Sequence, residues 1–224
     1  NGDESKFDTM LESIQRKQIR ILKISDFNTT GLSFEDADNQ YEISKTPWYT
    51  VVQAITASSK NEGIENLGSH GKGKMCNFSY SDLRTVFYHS RFQKDPKFTG
   101  AEKIERLFGS RSILATHKDF NNENEKNNVF SHIGHFCSEF DEELNFAVPI
   151  TNEDIPNWPG MDEESTGLDI YIIGFKYDDG AWEKKLIRGF LSKFHIHPHR
   201  SPHLLNYQEH LQPNLLLYKV LIHF

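Results

Sequence analysis

Apolar and polar residues alternate along this chain with two periods, and the switches between them mark out its elements. Residues 4–17 place Phe7, Met10, Leu11 and Ile14 at helical spacing on one stripe, which predicts an amphipathic helix. From Ile19 to Ser25 the period shortens to two, as in a half-buried strand, and the run ends at Asp26. A polar, turn-rich stretch follows as far as Pro47, which can open a helix over 48–57. Residues 58–74 read as a glycine-containing loop and residues 75–83 as helical. Residues 84–92 and 111–119 read as neighbouring strands of an antiparallel sheet. Residues 119–145, rich in Asn, Glu and Asp, read as a loop or a poorly packed insert. Residues 169–177 form the clearest strand, rich in β-branched and aromatic side chains. Residues 182–194 read as a helix with Trp182, Leu186, Ile187, Phe190 and Leu191 facing inward, and Leu215–Ile222 is a strand-sized apolar run. The order of elements predicts an α/β (α+β) two-layer sandwich on a mostly antiparallel sheet.

Composition narrows the class. A chain of 224 residues with 37% hydrophobic and 25% charged residues fits one sizeable domain, or a domain with an appendage, whose core needs no covalent staples. Two cysteines, Cys76 and Cys137, are too few for a disulfide framework and read as reduced thiols. A net charge of −7 carries no overall footprint for nucleic acid. No segment resembles a signal peptide or a membrane span, so a cytoplasmic location is the expectation.

The segment Gly68-Ser69-His70-Gly71-Lys72-Gly73-Lys74 is the richest in chemistry. Glycines let backbone amides approach an anion, a following helix adds the positive end of its dipole, and Lys72 and Lys74 bring charge to phosphates. As a Walker A loop it lacks two parts. Met75 stands where a magnesium-binding hydroxyl belongs, and residues 61–67 do not form a buried strand. A surface loop and a phosphate cradle of another kind both remain open.

The neighbouring motifs point to the second. The strand 19–25 runs into Asp26-Phe27-Asn28-Thr29-Thr30-Gly31-Leu32, the glycine segment follows, and Ser165-Thr166-Gly167-Leu168 leads into the strand 169–177. In that order the three resemble the nucleotide-binding motifs of the GHKL ATPase superfamily, which includes gyrase B, MutL, the ninety-kilodalton heat-shock chaperones and sensor histidine kinases. Residues 81–92, together with 25–32 and 169–175, also resemble a group of uncharacterised prokaryotic, histidine-kinase-like ATP-binding proteins. The resemblance implies a Bergerat-type fold, with helices on one face of the sheet, over residues 1–194. It implies a lid at about 33–67 and a histidine-rich segment, 195–224, beyond the resemblance. ATP and Mg2+ are the implied ligands. Asp26 would accept the adenine amino group, with Asn28, Gly31 and Gly167 shaping its surroundings. Gly68, Ser69, Gly71, Gly73 and Lys74 would hold the phosphates. A homodimer or a client protein is the implied partner. Asn28 and Thr30 stand where the family has glycines, Leu168 stands where it has Thr, and the family's helix with an E-x-x-x-N pattern is not seen. The chain thus reads as truncated at its N-terminus, with binding expected, hydrolysis doubtful and no catalytic residue named.

A rival reading starts from His195, His197, His199 and His203, whose alternation on an extended strand would suit a metal-dependent hydrolase, although Pro198 and Pro202 interrupt it. His117, His132, His135 and Cys137 match no zinc spacing. A non-catalytic nucleotide-sensing or structural domain is the third class.

Overall fold

The structure is a computed structural model and describes residues 2–34, 40–54, 72–93, 104–118, 129–157, 165–176, 182, 184–185, 205–212 and 215–223. It is a mixed α/β protein built on a mostly antiparallel sheet. The sheet consists of β1 (Ile19–Phe27), β2 (Ser81–Phe92), β3 (Glu105–Ile113), β6 (Ile133–Phe136), β10 (Gly167–Phe175), β11 (Leu205–Gln212) and β12 (Leu215–His223), in the order β11-β12-β1-β10-β2-β3-β6, with β9 (Ile150–Thr151) pairing β3 off this path. The pair β1 and β12 is parallel, and the other pairings in the sheet are antiparallel. Two small ladders join β4 (His117–Lys118) to β5 (Val129–Phe130) and β7 (Glu139–Asp141) to β8 (Phe146–Val148).

The strand with the clearest sequence signal, β10, lies between β1 and β2, with Leu22 opposite Ile172 and Ile172 opposite Val86. Residues that face one another across a ladder share a face of the sheet. On that face Val86, Tyr88, Phe92 and Leu107 form the largest buried cluster with Ile43, Trp48, Val52, Phe78 and Phe146. The cluster draws Phe78 from α3 (Lys72–Ser79) and Ile43 from α2 (Gln40–Ile43). Trp48 and Val52 come from a short wide turn around Tyr49–Gln53, where the Ala54 amide donates to the Tyr49 carbonyl five residues back. The Trp48 ring lies against Gly109, where a Cβ would press on it. Arg111, buried on β3, donates to the Gln53 carbonyl at 2.7 Å and so closes the end of that turn. The described part of the segment expected as a lid, 33–34 and 40–54, thus contributes core residues, and Phe34 stacks on Phe146.

Several expectations change. Residues 81–83, read as the end of a helix, begin β2, and the helix occupies Lys72–Ser79 instead. Ser81 accepts the Thr85 amide and donates to the Ile173 carbonyl, which ties that segment into the sheet from its first residue. The strand read over 111–119 ends at Ile113. The insert 119–145 supplies β5, β6 and β7, and β6 extends the main sheet beside β3. Its polar composition hid short strands of two to four residues, too brief for periodicity to register. Helix α1 (Gly2–Gln15) forms where expected, yet Phe7, Leu11 and Ile14 are exposed while Ser13 is buried. Trp182 and residues 184–185 are helical, with the Trp182 ring 5.0 Å from Phe175, and the rest of that expected helix lies outside the described residues. The apolar run at the C-terminus is β12, in full register with β1 from Ile19–Leu215 to Phe27–His223, so these strands continue the sheet that carries Asp26.

Candidate functional site

At the end of β1 the chain leaves the sheet through Asn28, held at φ 59, and Gly31, at φ 66. Asn is among the few residue types with a side chain that tolerate this left-handed region. A Cβ on Gly31 would collide with the Arg91 carbonyl, so this glycine is required by close packing against β2. The Leu32 amide donates to Ser90 Oγ at 2.6 Å, fixing the same turn to the same strand.

The neighbouring strand meets this turn from the other side. Asp26 Oδ1 accepts the Leu168 amide at 2.6 Å and the Thr29 hydroxyl at 2.8 Å. The Asn28 amide donates to the Thr166 carbonyl at 2.9 Å. Gly167 sits at φ 154, and a Cβ on it would run into the backbone and carboxylate of Asp26. Four of the sequence-predicted site residues, Asp26, Asn28, Gly31 and Gly167, are therefore gathered at one end of β1 and β10. Gly73 and Lys74 lie in the first turn of α3. Gly68, Ser69 and Gly71 lie outside the described residues, as do His195, His197, His199 and His203.

A second group of side chains adjoins this junction, and sequence reasoning missed it. Lys23 and Ser25 of β1, His89 and Arg91 of β2, and Asp169 of β10 are all buried, none more than 1% exposed. Asp169 Oδ2 receives Arg91 Nη1 at 2.6 Å, His89 Nδ1 at 3.2 Å and Lys23 Nζ at 3.3 Å. Burial by itself would raise the Asp169 carboxyl; the His89 hydrogen bond, the charges of Lys23 and Arg91 and the nearby Ser25 outweigh it and hold the group well below the usual carboxylate range. His89 moves down as well, first because it is buried and further because Arg91 and Lys23 repel its charged form, while Asp169 opposes both. Among the described residues, His89 Nε2, Arg91 Nη2 and Asp169 Oδ1 find no hydrogen-bond partner. The available sequence signal was polar residues at alternating positions of otherwise apolar strands: Lys23 and Ser25, His89 and Arg91.

Arg91 joins the two groups. Its Nε donates to the Ser165 carbonyl at 2.7 Å, at the start of the turn that reaches Asp26, while its Nη1 holds Asp169 at the other side of that turn. Elsewhere, burial pushes the Tyr88 hydroxyl up to about 12, against the opposing Arg111 charge and Asn77 hydrogen bond. Among the described residues no three His, Cys, Asp or Glu side chains converge as a metal site, and no helix is long and apolar enough to cross a membrane. No family model, no curated protein and no solved structure matches the chain.

Proposed function

We propose that the chain is an ATP-binding module of the GHKL type, a two-layer sandwich of Bergerat form, in which Asp26 reads the adenine base. The observation that supports this most is the bond between Asp26 and the Leu168 amide, 142 residues apart in sequence. It unites the first and third motif segments around a half-buried carboxylate at a strand end, where an acceptor can select a base. Thr29 and Leu168 occupy Oδ1, and the proposal assigns Oδ2 to the adenine amino group. Guanine presents an oxygen at that position, which would leave two acceptors facing each other.

The phosphates, in this reading, lie against the glycine-rich segment from Gly68 to Lys74, which runs into the first turn of α3 and whose amides and lysines offer donors and positive charge. Magnesium enters on the phosphates and keeps several water ligands. The proposal is for binding, and no side chain is assigned as a base for hydrolysis. Calorimetric titration of the chain with Mg·ATP and Mg·GTP tests it. Tighter binding of ATP is expected, and Asp26→Asn should weaken it by about 1.5–3 kcal/mol, the range for a lost hydrogen bond to a charged group. Equal affinity for both nucleotides, or none for either, would sink the adenine role of Asp26.

A further inference from the structure

We propose that Arg91 is the positioning residue of the Asp26 site, setting from one place the two backbone turns that flank the carboxylate; as a role in nucleotide binding, this rests on the reading above. Three contacts carry it. Arg91 Nε holds the Ser165 carbonyl at 2.7 Å, Nη1 holds Asp169 at 2.6 Å, and the Arg91 carbonyl is the surface on which side-chain-free Gly31 packs. The segment between its two side-chain anchors, Ser165 to Asp169, contains the Thr166 carbonyl that receives Asn28 and the Leu168 amide that donates to Asp26. The segment packed on its backbone, Asn28 to Leu32, is the other flank, and the adjacent Ser90 accepts the Leu32 amide. Displacing the guanidinium frees the Ser165–Leu168 turn to move off Asp26 while the ladder of β2 stays in place.

A guanidinium suits this task because its donors diverge in a fixed plane, so one group can reach a carbonyl and a carboxylate in different directions. A lysine at 91 would keep the charge beside Asp169 but could not hold both partners in that geometry. Arg91→Lys thus separates positioning from charge balance.

The test combines a ligand-free readout with a binding readout. In the wild-type chain the Leu168 amide, bonded to the Asp26 carboxylate, should be protected from hydrogen exchange. Arg91→Lys should keep the circular dichroism spectrum and cooperative unfolding, lose most of that protection, and weaken Mg·ATP binding on the order of tenfold, the usual scale for removing a support behind a binding group. A folded lysine variant with the Leu168 amide still protected and ATP affinity unchanged would overturn the assignment. Loss of the protection in a protein whose wild-type form binds no ATP would uphold Arg91 as the positioning residue of Asp26 and refute the nucleotide reading instead. Should Arg91→Lys fail to fold, the wild-type chain decides: the Arg91 Nε–H and the Leu168 amide should exchange with solvent together, as one opening unit, and a Leu168 amide that exchanges independently of Arg91 Nε–H overturns the proposal.

Discussion

The two faces of the three central strands are both largely buried, but only one carries a cluster of charged side chains, set beside the apolar residues Ile21, Tyr171 and Ile173. On one, Leu22, Ile172 and Val86 lie across the ladders from one another, 3%, 2% and 0% exposed, and Ile170 faces Tyr88. On the other, Lys23 faces Tyr171, and Ser25, Asp169 and His89 fall in one row with Arg91 close by. Apolar burial stabilises the first face roughly in proportion to area and tolerates imperfect geometry. The second buries ionised groups, which are costly to remove from water unless each meets a partner of opposite charge. Its stability therefore hangs on a few contacts, and those contacts reach the Asp26 junction through Arg91. The contrast suggests a division of labour: one face holds the strands together and the other fixes where their ends sit.

Breaking the ionic face at its centre should give the largest effect. Asp169→Ala removes the carboxylate shared by Lys23, His89 and Arg91 and leaves buried cations beside an empty volume. The expected loss is about 3–5 kcal/mol in chemical denaturation, the range for removing one partner of a buried ion pair. On the apolar face, Ile172→Val deletes one methylene at an equally buried position and should cost about 0.5–1.5 kcal/mol. If Asp169→Ala costs no more than Ile172→Val, the ionic row is hydrated in solution and the contrast between the faces collapses.

This contrast also explains what the sequence made legible. Alternation in residues 19–25 and the β-branched run after Gly167 identified β1 and β10, and turn chemistry placed Asp26, Asn28, Gly31 and Gly167 at a strand end. Alternation is ambiguous about the second face, however. Lys23 and Ser25 at every other position are what a solvated face looks like, and no local rule distinguishes wet polar residues from buried, mutually paired ones. Pairing of β1 and β2 with β10 makes them partners, through contacts 78 and 80 residues apart between Asp169 and Arg91 or His89. The stripe on α1 shows a related limit: helical periodicity reveals an apolar side but not what it faces, and Phe7, Leu11 and Ile14 turn that side outward. The short strands β5 to β7 were invisible because two to four residues carry no period.

The smallest expected effect is a pH dependence confined to the ionic face. His89 is faced by Asp169 from β10, Lys23 from β1, Arg91 from its own strand and the Phe108 ring from β3. With Nδ1 donating to Asp169, the neutral ring leaves Nε2 bare, and protonation would create a buried N–H with no acceptor beside two cations. The folded value is therefore depressed below the ordinary histidine value of about 6.5. As pH falls through that ordinary value the unfolded chain takes up a proton that the folded chain refuses, so stability falls with acidification until the lower folded value is reached. Asp169 has the same sign in a more acidic window: its depressed value contributes stability above the ordinary carboxylate range that is lost as pH falls through the folded value. For the single proton of His89 the slope cannot exceed about 1.4 kcal/mol per pH unit. His89→Gln keeps a donor for Asp169 and removes the titration. Denaturation curves between pH 7.5 and 5.5 should show the wild-type chain losing more stability than this variant. Parallel curves would mean that His89 charges freely in the folded protein, and that the ionic face admits water where Val86 and Ile172 do not.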